Sequence, residues 1–219
     1  NYRDGILQII KKQTGRDVTI KGKVTVWLVP TPTIYIPGVE LRDPASDQPA
    51  PAATVDMIKL KVPFSSIFTE HPKVSSIVLE HPVLELVRAR DNVIHWKWLN
   101  TDLFNLLTGD NGKTPPPAVA IEEGRILYHD NRTDKDMEIN NINAGTTGSA
   151  HVDIHSSFTL YGHDMRLAID TRPDKNSPPK GAMPLHATLS GDGNVLQLQG
   201  SMDLAGGVPK INGHISLTA

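Results

Sequence analysis

A period of two runs along this chain, broken by glycines, prolines and short polar loops, and it leaves few ways to fold. Val18 and Ile20 alternate with Thr19. Val24, Val26 and Leu28 alternate with Thr25, Trp27 and Val29, and Ile34 and Ile36 flank Tyr35. The same step recurs at Val39/Leu41, Ile58/Leu60/Val62, Leu84/Leu86 and Val152/Ile154. Side chains two apart on a strand share a face, so each run describes a strand with one apolar side. Pro30 and Pro32 lack the N–H that a central ladder needs and mark a strand end or an edge. GDGN at 191–194 is a tight-turn signal between two alternating runs. No strand is followed by a helix long enough to return the chain, so an antiparallel meander is expected and parallel crossovers are not.

Helical patterns are few. Tyr2, Ile6, Ile9, Ile10 and Gln13 fall near one face, with Gly15 as the C′ residue. PFSSIF reads as a short helical turn, and TDLFNLL as one or two more, capped by Thr101 or Asp102. The clearest linker, DNGKTPPP, divides the 219 residues into 1–109 (helix and first sheet region), 110–117 (linker) and 118–219 (continued antiparallel strands). The aromatic content is only 5%, and the apolar residues are mostly Val, Ile and Leu. Such a sheet fills a core less densely than a sandwich does. Alternation reports one apolar face and not what covers it. A curved sheet forming a groove, capped at one end by the N-terminal helix, and a closed sandwich or barrel therefore both remain open. The chain begins at Asn1 and reads as part of something longer.

Reactive constellations are weak. A net charge of −2 gives no footprint for nucleic acid, and there are no cysteines. In HVDIH, His151, Asp153 and His155 project from one face of a strand, but any solvated face offers that spacing, and no metal is assigned. His129-Asp130 and His163-Asp164 are neighbours that point to opposite faces. Glu122-Glu123 diverge likewise, and Gly124 after them suggests a bulge. GTTGS, at 145–149, lacks the lysine and helix of a phosphate loop and reads as a flexible turn. Trp96 and Trp98 read as core anchors or a cap on a groove end. No catalytic residue and no cofactor are assigned, and the chain is expected not to be an enzyme.

TGRDVTIKG, a strand ending in P-T-P, GVELRD, PFSSIF, the run IVLEHPVLEL, the turn ending in Trp96 and AVAIEEGRILYHDNRT together resemble the AsmA family. The resemblance rests on Gly15, Arg16, Gly22, Pro30, Pro32, Gly38, Pro82, Trp96, Gly124 and Asp130. Two departures are His95, where an asparagine is expected, and the lack of an N-terminal membrane helix before the first strand. The resemblance implies a periplasmic protein of the Gram-negative envelope, anchored to the inner membrane by a helix and involved in outer-membrane biogenesis. It also implies a β-groove that carries phospholipid. The groove would be lined by Val24, Val26, Leu28, Ile58, Leu60, Val62, Ile77, Leu79, Leu84, Leu86, Ile126, Tyr128, Val152, Ile154, Phe158 and Leu160. Expected partners are phospholipid or another acyl-chain lipid, the inner membrane, and an envelope protein recruited at a strand edge.

Overall fold

A computed structural model describes residues 17–42, 51–67, 73–89, 116–148, 151–172, 183–203 and 210–218. The N-terminal helix with Gly15 and Arg16, the Trp96/Trp98 turn and TDLFNLL lie outside these residues. One sheet contains β1 (Asp17–Ile20), β2 (Thr25–Trp27), β3 (Thr33–Arg42), β4 (Ala53–Lys61), β5 (Ser76–Glu80), β6 (Val83–Arg88) and β7 (Ala118–Asp130). It continues through β8 (Lys135–Thr146), β9 (Asp153–Leu160), β10 (His163–Asp170), β11 (Met183–Gly191), β12 (Asn194–Asp203) and β13 (Lys210–Thr218). A four-residue helix, α1 (Phe64–Ile67), falls in PFSSIF as expected. The protein is thus mainly β. Its path runs β1-β3-β4-β5-β7-β8 and on in sequence to β13, with β2 beside β3 and β6 between β4 and β7. The two ends of this path do not pair with each other, so the sheet is open and not a closed barrel.

Two expectations need correction. The sheet is mixed, because β7 runs parallel to β5 and β6, with Ser76 opposite Ala118 and Val83 opposite Arg125. A parallel pair needs a connection of about a dozen residues or more. The stretch between Arg88 and Ala118 is long enough, although its sequence carries no long helical pattern. A further proline, Pro37, lies within β3 in the interior of the sheet. β3 pairs with β4 on one side and with both β1 and β2 on the other, and Pro37 lies between those two pairings. Its missing N–H therefore breaks no ladder bond. Pro30 and Pro32 do fall between β2 and β3, as the sequence suggests. GTTGS is also only partly a turn, since Gly145 and Thr146 belong to β8 and the Thr146 hydroxyl accepts the Val119 N–H at 3.0 Å.

A transverse crease crosses the first part of the sheet. Gly38 in β3, His81 between β5 and β6, Glu123 in β7 and Asn141 in β8 have φ of 62°, 48°, 53° and 53°. They lie at one level. Residues on either side of Gly38 pair with those flanking Asp56 in β4, Met57 pairs with Glu80, and the His81 N–H donates to the Glu122 carbonyl at 2.8 Å. Register shifts mark the same level between β7 and β8 and between β8 and β9. A left-handed residue reverses the alternation of a strand, just as a one-residue slip would. The apolar parity accordingly changes there: Ile34/Ile36 to Val39/Leu41, Ile77/Leu79 to Leu84/Leu86, and Ile142/Ala144 to Met137/Ile139. Ile36 and Val39, on opposite sides of the crease, nonetheless pack in one cluster with Ile20. The crease keeps the same face apolar along strands whose alternation changes phase.

Gly38 is the crease residue most dependent on its identity. Its φ is 62°, and a Cβ there would lie 3.0 Å from Lys21 Cβ. Gly38→Ala should lower stability by about 1–2 kcal/mol, the cost of a left-handed alanine. A urea midpoint unchanged from the parent protein would show that the crease is not set by this glycine.

Candidate functional site

Register assigns side chains to faces without ambiguity, because directly paired residues share a face. Ile36, Ile58, Leu79, Ile121, Ala144, Ser156, Leu167, Leu189, Leu196 and Leu217 form one row of successive partners across ten strands. Only Ser156 in it is polar. Across the crease, Val18, Leu41, Ala53, Leu84, Ile126, Ile139 and Leu160 form a second row across seven strands. A third, Val26, Ile34, Leu60, Ile77 and Val119, runs parallel to the first from β2 to β7. The site is therefore a broad apolar face and not a cleft around reactive groups.

Burial on this face tapers. The tight cluster is at the β1–β4 end, where Ile20 is 0% and Ile36 2% exposed, with Val39 beside them. Of the ten residues in the longest row, only Ile36 is buried. At the β13 edge, Ile211, Ile215 and Leu217 are 55–70% exposed. The inner face of a sandwich would be buried throughout. Among the described residues there is no second sheet, and the only helix is α1.

The residues named from sequence fall on these rows in large part. Ile58, Leu60, Ile77, Leu79, Leu84, Ile126 and Leu160 stand in them, and Leu86 and Tyr128 pair beside the second row. Ile154 pairs with Thr146 and Ile169, and Phe158 with Met165, on the same side as Leu167. Val62 and Val152 are buried just beyond strand ends. Val24 packs on the Ile20 cluster, whereas Val26 and Leu28 are each 57% exposed and Leu28 lies past the end of β2. Missed in the sequence were Val119, Ile121, Ile139, Leu167, Leu189 and the β12–β13 residues. Their alternation was visible, but only the pairing shows that they extend the same face.

The opposite face carries polar groups. Lys59 pairs with Glu80, and that hydrogen bond raises the lysine's pKa. His81, in the β5–β6 connection, lies 3.3 Å from Asp56 of β4 and 3.2 Å from Glu123 of β7 and so bridges those two strands at the crease. His129 meets Asp136 at 2.8 Å, His163 meets Asp192, and Asp164 accepts from Thr159, so neither apparent His-Asp dyad is one. In HVDIH, His155 Nε2 comes within 2.9 Å of Asp153 Oδ1 but is not aligned for a hydrogen bond, leaving that buried oxygen unpartnered. Among the described residues, no group of three or more His, Asp or Glu is arranged to hold a metal. Gly124 sits in the bulge the sequence suggested, where a Cβ would meet Ile121 at 2.8 Å and Pro82 at 3.2 Å.

Two aspartates cap turns. Asp130 accepts the Arg132 N–H at 2.9 Å, and this bond first, then the nearby guanidinium charges, lowers its pKa. Asp170 is lowered chiefly by the Arg172 side chain, whose Nε donates at 2.6 Å. A carboxyl with a depressed folded pKa stabilises above its unfolded value, near 3.9, and loses that contribution as pH falls through the folded value. The thermal midpoint should therefore fall on acidification below about pH 4. Asp170→Asn should flatten that fall, and an equally steep profile in the variant would remove Asp170 from the account.

The described residues form an open single β-sheet with one apolar face. The chain belongs to the AsmA family, whose sequence model matches residues 1–147. That membership supports an envelope-associated function in general. No curated protein matches the chain.

Proposed function

We propose that this protein is a non-enzymatic lipid-binding and transport module of the bacterial envelope, holding acyl chains on its apolar face while headgroups remain in water. The observation that carries this is the ten-strand row from Ile36 to Leu217, aliphatic at nearly every step and fully buried only at Ile36. A buried, unpaired polar atom costs about 1–3 kcal/mol, and this row presents only one polar side chain to a hydrocarbon chain. Each aliphatic side chain covered by lipid contributes about 1.5–3 kcal/mol, so a few contacts hold a chain without trapping it. The setting we propose is the periplasm, with inner-membrane anchorage in the full-length protein, phospholipid movement between the two membranes and a part in outer-membrane biogenesis. No cofactor enters this mechanism.

Native mass spectrometry of protein purified from cells should show co-purified phospholipid. Repeated absence of lipid, together with no uptake of a labelled acyl probe, would sink the proposal. A second reading has one specific observation in its favour. Among the described residues, β13 is the edge strand of the sheet and carries three exposed aliphatic residues, which suits recruitment of an envelope protein by strand addition. Cross-linking from β13 to a protein partner, without lipid, would favour it.

A further inference from the structure

One end of the sheet carries an apolar surface that the rows above do not explain. Trp27 pairs with Thr33, Thr33 with Lys61, Lys61 with Ser76 and Ser76 with Ala118, so the end of β2, the starts of β3, β5 and β7 and the end of β4 are level. At that line Trp27 ends β2, and beyond it the β2–β3 connection presents Leu28 and Val29; the three are 64%, 57% and 76% exposed. α1 projects from the same end, since the Val62 N–H donates to the Pro32 carbonyl at 2.9 Å, and its Phe64 is 50% exposed. Scattered exposed apolar residues need no explanation, but three consecutive ones with a fourth at the same end of the sheet form an apolar surface.

Among the described residues, the charge around the patch has one sign. Lys61 and Lys73 are both exposed there, and the Lys73 N–H donates to the Ser66 hydroxyl of α1. Among the described residues at 26–33, 60–67, 73–76 and 116–118 there is no Asp or Glu. Tryptophan and aliphatic side chains flanked by lysines match the interfacial layer of a bilayer bearing anionic lipid, where the indole sits among headgroups and ammonium groups meet phosphates.

We infer that this end of the sheet is a bilayer-contacting lip, which places Trp27, Leu28, Val29 and Phe64 in the headgroup region and sets Lys61 and Lys73 against anionic phosphate. Docking itself stands on the patch. Its consequence, that a lipid passes from the bilayer to the row formed by Val26, Ile34, Leu60, Ile77 and Val119, rests on the acyl-chain reading above.

The test uses the 219-residue chain and density-gradient flotation with vesicles of phosphatidylethanolamine and phosphatidylglycerol, and separately of phosphatidylcholine. The unmodified protein should float with the anionic vesicles. Leu28→Asp with Val29→Asp should reduce the bound fraction at least tenfold, with circular dichroism and melting unchanged. Lys61→Glu with Lys73→Glu should weaken binding to the anionic vesicles but not to phosphatidylcholine. A parent protein that stays at the bottom of the gradient, a double-aspartate variant that floats as well as the parent, or self-association through Leu28 and Val29 without vesicle binding would each overturn the lip. Uptake of a monomeric fluorescent acyl probe, measured without vesicles, separates the two ideas. If the parent floats but takes up no probe, the lip stands and the acyl-chain reading falls.

Discussion

Truncating Ile36 to alanine should lower stability by about 2–5 kcal/mol, a large fraction of what a domain of this size holds. Ile36 is 2% exposed at the centre of the tight cluster, with Ile20 and Val39 buried and Ile34, Ile58 and Leu60 around it. Removing the branched side chain loses its transfer free energy and leaves a cavity in the best-packed part of the sheet. Ile36→Val should cost only about 0.5–1.5 kcal/mol. Val26→Ala makes a fair control, because Val26 is on the same face but 57% exposed. Its effect should stay within about 0.5 kcal/mol. Urea denaturation of the three variants checks the series. An Ile36→Ala loss below about 1 kcal/mol would mean that the cluster is not the stabilising core, given the cost of core truncation elsewhere.

Placing a carboxylate in the middle of the long apolar row should have the largest effect on function. Leu189 pairs with Leu167 on one side and Leu196 on the other. Leu189→Glu should reduce co-purified phospholipid at least tenfold, since a carboxylate under an acyl chain must be desolvated or must exclude the chain. Its neighbour Thr188 is on the other face, between Ala168 and Gln197. Thr188→Glu should leave lipid content unchanged, making the pair a test of face rather than of charge. Equal loss in both variants, or loss in neither, would contradict lipid binding on the assigned face. Melting curves of both proteins separate lost binding from lost folding.

The strands of the second half were legible because their alternation never changes phase. From β9 to β13 each run keeps one parity, and the Asp192-Gly193 turn follows from its residues, with φ of 51° and 81°. The first half was harder to read for a physical reason. At His81, Glu123 and Asn141 the parity reverses on non-glycine residues, which alternation registers only as irregularity. Gly124 betrayed one of these points as a bulge, but not that four such points share one level. The parallel β7 was illegible because its cue, a long connection, carries no long helical pattern in its sequence. The candidate site inherits both limits. Individual stripes such as Ile58/Leu60 and Leu84/Leu86 could be named, but the rows joining them depend on partners as distant in sequence as Leu79 and Ile121. Nothing in alternation chooses those partners.

The parallel pairing also bears on the order in which the chain can fold. β11 and β12 are joined by a two-residue turn, and β9 and β10 by Tyr161-Gly162, so that part of the sheet closes through local contacts. β5 and β6 each find one of their two neighbours only in β7. During synthesis the leading strands must therefore wait, with one edge unpaired, until the ribosome has delivered Ala118–Asp130. A nascent chain halted before that strand should be protease-sensitive throughout β3–β6, and one halted after it should be protected.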